Sequence, residues 1–173
     1  MIRKAIEKDL KDILEIHRLA FGEEDEAKLV DNLLKDDSAQ PCLSMVAEQD
    51  GQIIGHILFT KAGIKGTKLN ASLLAPLAVH PDFHFKGTGR RLIKAGFKEL
   101  ADQHVDLVFV LGDPNYYTKS GFSLNAGAQG YPTPVPIPPK WADAWMVRKL
   151  SDCEESGQVQ VAKEISAPEF WSD

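Results

Sequence analysis

From Asp9 onward the apolar residues Leu10, Ile13, Leu14, Ala20 and Phe21 recur at helical spacing, with His17 on the same face. Gly22 ends that helix. Leu29, Val30, Leu33 and Leu34 mark one side of a second helix over residues 24–36. The period then shortens to that of strands at residues 43–48 and 52–60. These are joined by Gln49-Asp50-Gly51-Gln52, and Asp-Gly tolerates the positive φ a tight hairpin needs. Residues 2–5 and 72–79 read as further strands. A helix carrying Ile93, Gly96, Phe97 and Leu100 on one face follows, and Leu107–Leu111 is an unbroken apolar run typical of a strand buried on both sides. A strand, loop, helix and strand in that order imply parallel neighbours. Tyr131–Pro139, rich in proline, reads as an extended crossing rather than a domain linker, because strands resume at 144–150 and 158–164. Those two are expected to pair antiparallel and close the sheet, with Phe170 and Trp171 packing the tail down. His17 is expected to be a core histidine rather than a ligand. The pattern predicts one mixed α/β domain over residues 1–173.

The chemistry concentrates between Leu77 and Arg91, where the chain reads Leu-Ala-Val-His-Pro-Asp-Phe-His-Phe-Lys-Gly-Thr-Gly-Arg-Arg. An apolar strand ends at Pro81, a basic loop with Gly87 and Gly89 follows, and a helix begins. Backbone N–H groups of such a loop converge on one point backed by the positive end of the helix dipole, which suits a phosphate. Missing Cβ atoms at Gly87 and Gly89 let an anion approach the backbone. Lys86, Arg90 and Arg91 add charge at the rim. A nucleotide P-loop is excluded because Lys86 precedes its glycine, and a dinucleotide fingerprint because Leu92 stands where the third glycine belongs. A glycine-rich helix start without a ligand is the bland alternative.

The string Val79-His80-Pro81-x-x-His84-x-x-Gly87-x-Gly89-x-x-Leu92 resembles the signature of the GNAT superfamily of N-acetyltransferases. A second block, Leu111-Gly112-Asp113-Pro114-Asn115-Tyr116-Tyr117-Thr118-Lys119-Ser120-Gly121-Phe122, is similar to that family's Tyr-x-x-x-Gly-Phe segment and lies at the family's distance. The Gly-Asp-Pro-x-Tyr-Tyr spelling resembles a bacterial subgroup of predicted N-acetyltransferases. His84 departs from the family's Gln or Arg; an unperturbed histidine titrates near ~6.5, so a phosphate contact through its ring would make cofactor affinity pH-dependent.

The resemblance implies a central, mostly antiparallel sheet with a splayed parallel pair, flanked by helices, and acetyl-CoA as co-substrate. Pro76 cannot donate to a strand ladder, which by itself means an edge strand or a bulge; the resemblance implies that the bulge parts this strand from the one ending at Leu111 as a splay. The pantetheine arm would lie in it, paired with backbone near Leu77, Ala78 and Val79, while His84, Phe85, Lys86, Gly87, Thr88, Gly89 and Arg90 would hold the pyrophosphate. An N–H near Ala78 would polarise the thioester carbonyl. The family implies direct attack by an amine. By motif position Tyr117 is the acid for the departing thiolate, with Tyr116 its rival. No carboxylate lies in Leu73–Ala78, where some members place a base. Asp113 is the candidate base or amine-orienting group, with a turn-forming role as its alternative. His56, on the alternation of Ile54 and Leu58, is a second candidate that burial alone would also explain.

Composition narrows the partners. Twenty Lys and Arg against 25 Asp and Glu give a net charge of −5, which argues against nucleic acid as a partner. Cys42 and Cys153 lack metal or disulfide spacing, so no metal site is expected. Met1-Ile2-Arg3-Lys4-Ala5 runs straight into a charged helix pattern, and no apolar run is long enough for a bilayer, so a cytoplasmic protein without signal peptide or membrane contact is expected. The acceptor is a small-molecule or peptide amine, lined by the first two helices and residues 123–140. Glu23, Glu24, Asp25 and Glu26, with Tyr131 and Trp141, would suit an ammonium, although acids at a helix start also stand there as a solvated end. A homodimer is left open. Two other classes compete: an acyl-CoA sensor without turnover, and a flavin or nicotinamide oxidoreductase, which would need the fingerprint already excluded.

Overall fold

In the computed structural model, which describes residues 1–172, the Asp50-Gly51 turn forms as its dipeptide predicts, both residues having positive φ (52° and 77°). It joins β2 (Leu43–Gln49) to β3 (Gln52–Ile64), and β1 (Ile2–Lys4) pairs with the far side of β2. β4 (Asn70–Val79) runs antiparallel to β3, and β5 (Leu107–Leu111) runs parallel to β4 after the crossover helix α3 (Thr88–Asp102). β6 (Trp145–Lys149) adds antiparallel to β5. The first two helices are α1 (Leu10–Phe21) and α2 (Asp25–Lys35), and a single turn, α4 (Pro114–Tyr117), follows β5.

One expectation fails. β7 (Val159–Val161) does not pair with β6; it pairs with Ala62, Gly63 and Ile64 of β3. β3 outruns β2, whose register begins at Leu43 opposite Phe59, and β7 takes the edge left bare. The chain therefore crosses back over the molecule between β6 and β7. The tail is fastened there: the Asp36 carboxylate accepts from the Glu164 N–H at 3.0 Å, and Ser38 Oγ accepts from the Lys163 N–H at 2.9 Å. Trp171 is buried against Trp145, whereas Phe170 stays exposed.

The sheet separates two apolar clusters. On one face α1 and α2 bury Ile13, Ile16, Val30 and Leu33 against Val46, Leu58, Leu73 and Phe109, with Ile165 and Trp171 of the tail joining them. On the other, Leu92, Ile93 and Leu100 of α3 pack on Ile57, Phe59, Leu74 and Val108. Gly96 lies directly on the Phe59 ring, so any side chain there would push α3 off the sheet. No helix among the described residues is long and apolar enough to cross a membrane.

A bulge between Ala47 and Glu48 moves Ile54 to the α3 face and leaves His56 on the α1 face with Leu58. His56 is fully buried, lies 2.8 Å from His17 Nε2 through its Nδ1, and 2.8 Å from Ser44 Oγ through its Nε2. Burial holds His17 down to about 4, and burial with His17 beside it pushes His56 well below the ordinary range. The pair is neutral in the folded state, while an unfolded histidine takes a proton near ~6.5, so the unfolded chain binds more protons between these values. Stability is therefore full above pH ~6.5 and falls as pH drops toward 4, by on the order of 3 kcal/mol for His17 alone. Urea midpoints are expected to fall steeply between pH 7 and 4.5, and much less steeply when His17 and His56 are both leucine.

Candidate functional site

Pro76 marks the place where the sheet opens. Leu77 pairs with Ile57 and Leu74 with Phe59, so Ala75 and Pro76 together face the single residue Leu58 as a bulge in β4. β4 and β5 are bonded only from Ala71 opposite Leu107 to Leu73 opposite Phe109. Beyond that β5 stays with β6 up to Leu111 opposite Trp145, and β4 turns away. A cavity of about 1050 Å³ occupies the gap. The His80 N–H donates to the Ile54 carbonyl at 2.7 Å. Alternation from that bond directs the polar groups of Ala78 toward His56 in β3, and those of Leu77 and Val79 toward the gap. Leu77 and the N–H of Val79 thus offer the open strand edge, the Val79 carbonyl being taken by His84. The Ala78 N–H is turned into β3, so the expected polarisation of a thioester does not fall to it, and Ala78 contributes only the surface of the wall.

The loop after β4 makes one 3₁₀ turn over Pro81–Phe83 and then runs through Phe85 (φ 63°) and Gly87 (φ 81°) into α3. Phe85 is fully exposed in this left-handed conformation. Backbone N–H groups of Phe85, Lys86 and Gly87 donate to no acceptor among the described residues. Together with the unpaired first turn of α3 they form a cradle of free donors at the place where the sequence leads one to expect an anion. Arg91 braces it, donating to the Lys86 carbonyl at 3.0 Å and to Oγ1 of the buried Thr88 at 3.3 Å. His84 donates through Nε2 to the Val79 carbonyl at 2.8 Å, tying the loop to the strand end, so its ring is engaged with backbone. Lys86 lies over the Phe83 ring, 5.5 Å from its centre.

Next to the cradle is a second cavity of about 820 Å³, lined by Lys86, Arg90, Arg91, Lys94, Lys119 and Arg148 with no carboxylate among its lining residues. Gly87, Arg90 and Lys119 border both cavities, so the basic surface continues out of the gap. Lys94, Lys119 and Arg148 escaped the sequence reading. Lys94 follows Arg90 and Arg91 by one helical turn and was within reach of it, but Arg148 comes from β6 and nothing local points to it.

Tyr116 and Tyr117 line the large cavity from α4, with ring centres 5.0 Å apart and near-perpendicular planes. The Tyr116 hydroxyl rests on Gly89, where a Cβ would collide with it. Tyr117 packs on Gly112 and against Phe122. Neither hydroxyl has a hydrogen-bond partner among the described residues. Burial, then the neighbouring Tyr116 and Asp113, pushes the Tyr117 phenol upward, and burial raises Tyr116 against the opposing Arg90. Asp113 is exposed at the cavity margin and caps α4, accepting from the Asn115 N–H at 2.9 Å. His56 is not among the residues lining the cavity. A residue singled out only within a run of acids, Glu26, does line it.

The acetyltransferase (GNAT) domain family matches residues 1–125. A relative from Escherichia coli K12, the uncharacterized N-acetyltransferase YjhQ, is 45% identical over 146 residues, which cover 83% of this chain and 80% of that protein. Another from the same strain, the uncharacterized N-acetyltransferase YhbS, is 35% identical over 127 residues, 73% of this chain and 75% of its own. The crystal structure of Escherichia coli YhbS in complex with CoA superposes with a TM-score of 0.86 at 30% identity, covering 96% of this chain and 92% of that one. A GNAT family acetyltransferase from Brucella melitensis, solved with acetyl-CoA, gives 0.77 at 26% identity over 95% and 97% of the two chains.

Proposed function

We infer, since this chain belongs to the GNAT acetyltransferase family, that it transfers the acetyl group of acetyl-CoA to a primary amine by direct attack on the thioester. The observation that carries this reading is the gap between β4 and β5, continuous with an anion cradle at the start of α3. An extended pantetheine arm fits along the edge offered by Leu77 and Val79 as a missing strand would. The pyrophosphate fits the free N–H groups of Phe85, Lys86 and Gly87 and the first turn of α3 with Thr88, Gly89 and Arg90. Tyr117, protonated and unpartnered, stands as the donor to the sulfur that leaves. Asp113, as a cap at the margin, serves to hold α4 and its tyrosines in place. Structural relatives solved with CoA and acetyl-CoA support the choice of cofactor. The same reading puts the protein in the cytoplasm, and two unpaired cysteines agree with a reducing compartment.

Calorimetric titration with acetyl-CoA, followed by free-thiol release over a panel of amines, tests the proposal. Micromolar binding and amine-dependent thiol release are expected; binding without release would make the protein an acyl-CoA sensor. The second cavity fits the adenosine end of CoA with its 3′-phosphate. Reversing Lys94 and Lys119 to glutamate together is expected to weaken CoA by about tenfold at low ionic strength, the loss shrinking as salt screens the charges. The same variant should bind 3′-dephospho-CoA nearly as well as the parent does, and paired titrations check this.

A further inference from the structure

Backbone donors explain the cradle but not the side chain of Phe85. It is the most exposed large apolar residue among the described ones, at 105%, while Phe21 and Phe170, which also line the large cavity, keep 43% and 38%. Its backbone is left-handed (φ 63°), a conformation that glycine adopts freely and a bulky residue does not. A lone exposed apolar residue is ordinary, but one held in a strained conformation at the rim of a ligand site is not. Its one ring neighbour is His84, edge-on with centres 6.1 Å apart, and that ring is itself tied to the Val79 carbonyl. The Phe85 side chain can therefore turn about its first torsion without giving up packing. The loop beneath it is held at both ends, by His84 at the strand and by Arg91 at the helix.

The open strand edge stops at Val79, where His84 ties the loop down, and the free N–H groups begin at Phe85 itself. A coenzyme with its pantetheine arm on that edge and its pyrophosphate on those N–H groups passes Phe85 with the portion that joins the two. That portion is the pantoyl unit, whose carbon bearing two methyl groups is separated from the nearer phosphate by a single CH2–O link. Resting on the acetyl-CoA reading of this site, we propose that the Phe85 side chain is a cap on the coenzyme, folding over the pantoyl methyl groups and keeping water from the junction of arm and pyrophosphate. The contact is apolar on both sides, so it adds affinity by burial, about tenfold for partial cover of one ring. The left-handed backbone lets one residue serve both neighbours, its N–H left free for phosphate and its ring free to close from outside.

Calorimetry with CoA and with desdimethyl-CoA, an analogue carrying hydrogens in place of the pantoyl methyl groups, is run on the parent, Phe85→Ala and Phe85→Leu. Phe85→Ala is expected to bind CoA about tenfold more weakly than the parent, and the parent to lose a similar factor when the ligand lacks its methyl groups. The two losses should not add, so Phe85→Ala binds both ligands within about twofold of each other. Phe85→Leu, which restores an apolar side chain on the same backbone, should recover most of the affinity. An alanine variant equal to the parent, or a parent indifferent to the methyl groups, would overturn the proposal. So would an alanine variant that loses the same factor for both ligands, because the ring would then act on the adenine or on the loop itself. A parent that binds neither ligand would instead overturn the acetyl-CoA reading on which the proposal rests.

Discussion

A Gly89→Trp protein is expected to bind acetyl-CoA at least 100-fold more weakly than the parent, a loss of about 2.7 kcal/mol. Two effects add. Gly89 is buried under the Tyr116 hydroxyl, so the first atom of any side chain displaces that ring. The indole then fills the space in front of the first turn of α3, where the unpaired N–H groups point. An anion held by backbone donors cannot be recovered by rearranging side chains. Calorimetry reads the affinity, and circular dichroism with a thermal melt shows that the variant is folded. A variant that is folded and binds normally would place the pyrophosphate somewhere other than this loop.

Tyr117→Phe is expected to leave acetyl-CoA affinity within about twofold while lowering kcat by about 10²-fold, the loss typical of removing one donor aimed at developing charge. Tyr117 sits against Gly112 and Phe122, so phenylalanine keeps the packing and removes only the hydroxyl. Because burial, and after it Tyr116 and Asp113, raise the phenol, the proton is tightly held at neutral pH. Its contribution is then chiefly a hydrogen bond to the sulfur as charge builds there, with the nitrogen proton completing the exchange. Tyr116→Phe serves as the counterpart: its hydroxyl rests on Gly89, so its loss should weaken cofactor binding more than it slows turnover. The reverse pattern for the two tyrosines would exchange their roles. Stopped thiol release under saturating acetyl-CoA separates kcat from binding.

Local chemistry made much of this legible in advance. Asp50-Gly51 set the hairpin, the apolar run Leu107–Leu111 set the buried strand, and the proline and glycines from Pro76 to Gly89 outlined the gap and its cradle. Each of those signals lies within a few residues of the structure it dictates. What escaped depends on distance along the chain. β6 and β7 are neighbours in sequence, which suggests a pair, whereas the partner of β7 is the overhang of β3, which shows only once the lengths of β2 and β3 are compared. Ile54 and His56 looked like one face until the bulge at Ala47/Glu48 separated them. Glu26 was one of four acids in a row, and its position relative to the cavity follows from how α2 leans on the sheet. Arg148 reaches the basic pocket only because β6 lies beside β5.

The family match ends at residue 125, and the tail that lines one side of the cavity comes after it. Cradle, gap and tyrosines all lie before that point, while Ile165, Phe170 and Trp171 are held in place by the backbone clasp at Asp36 and Ser38 and by β7. Apart from Arg148, the groups around the cradle and the tail side of the cavity are thus written on successive stretches of one gene. A tail fastened by one clasp and one short edge strand is a separable part, so a foreign tail grafted onto the same clasp would reshape that side of the cavity and leave the cradle as it is.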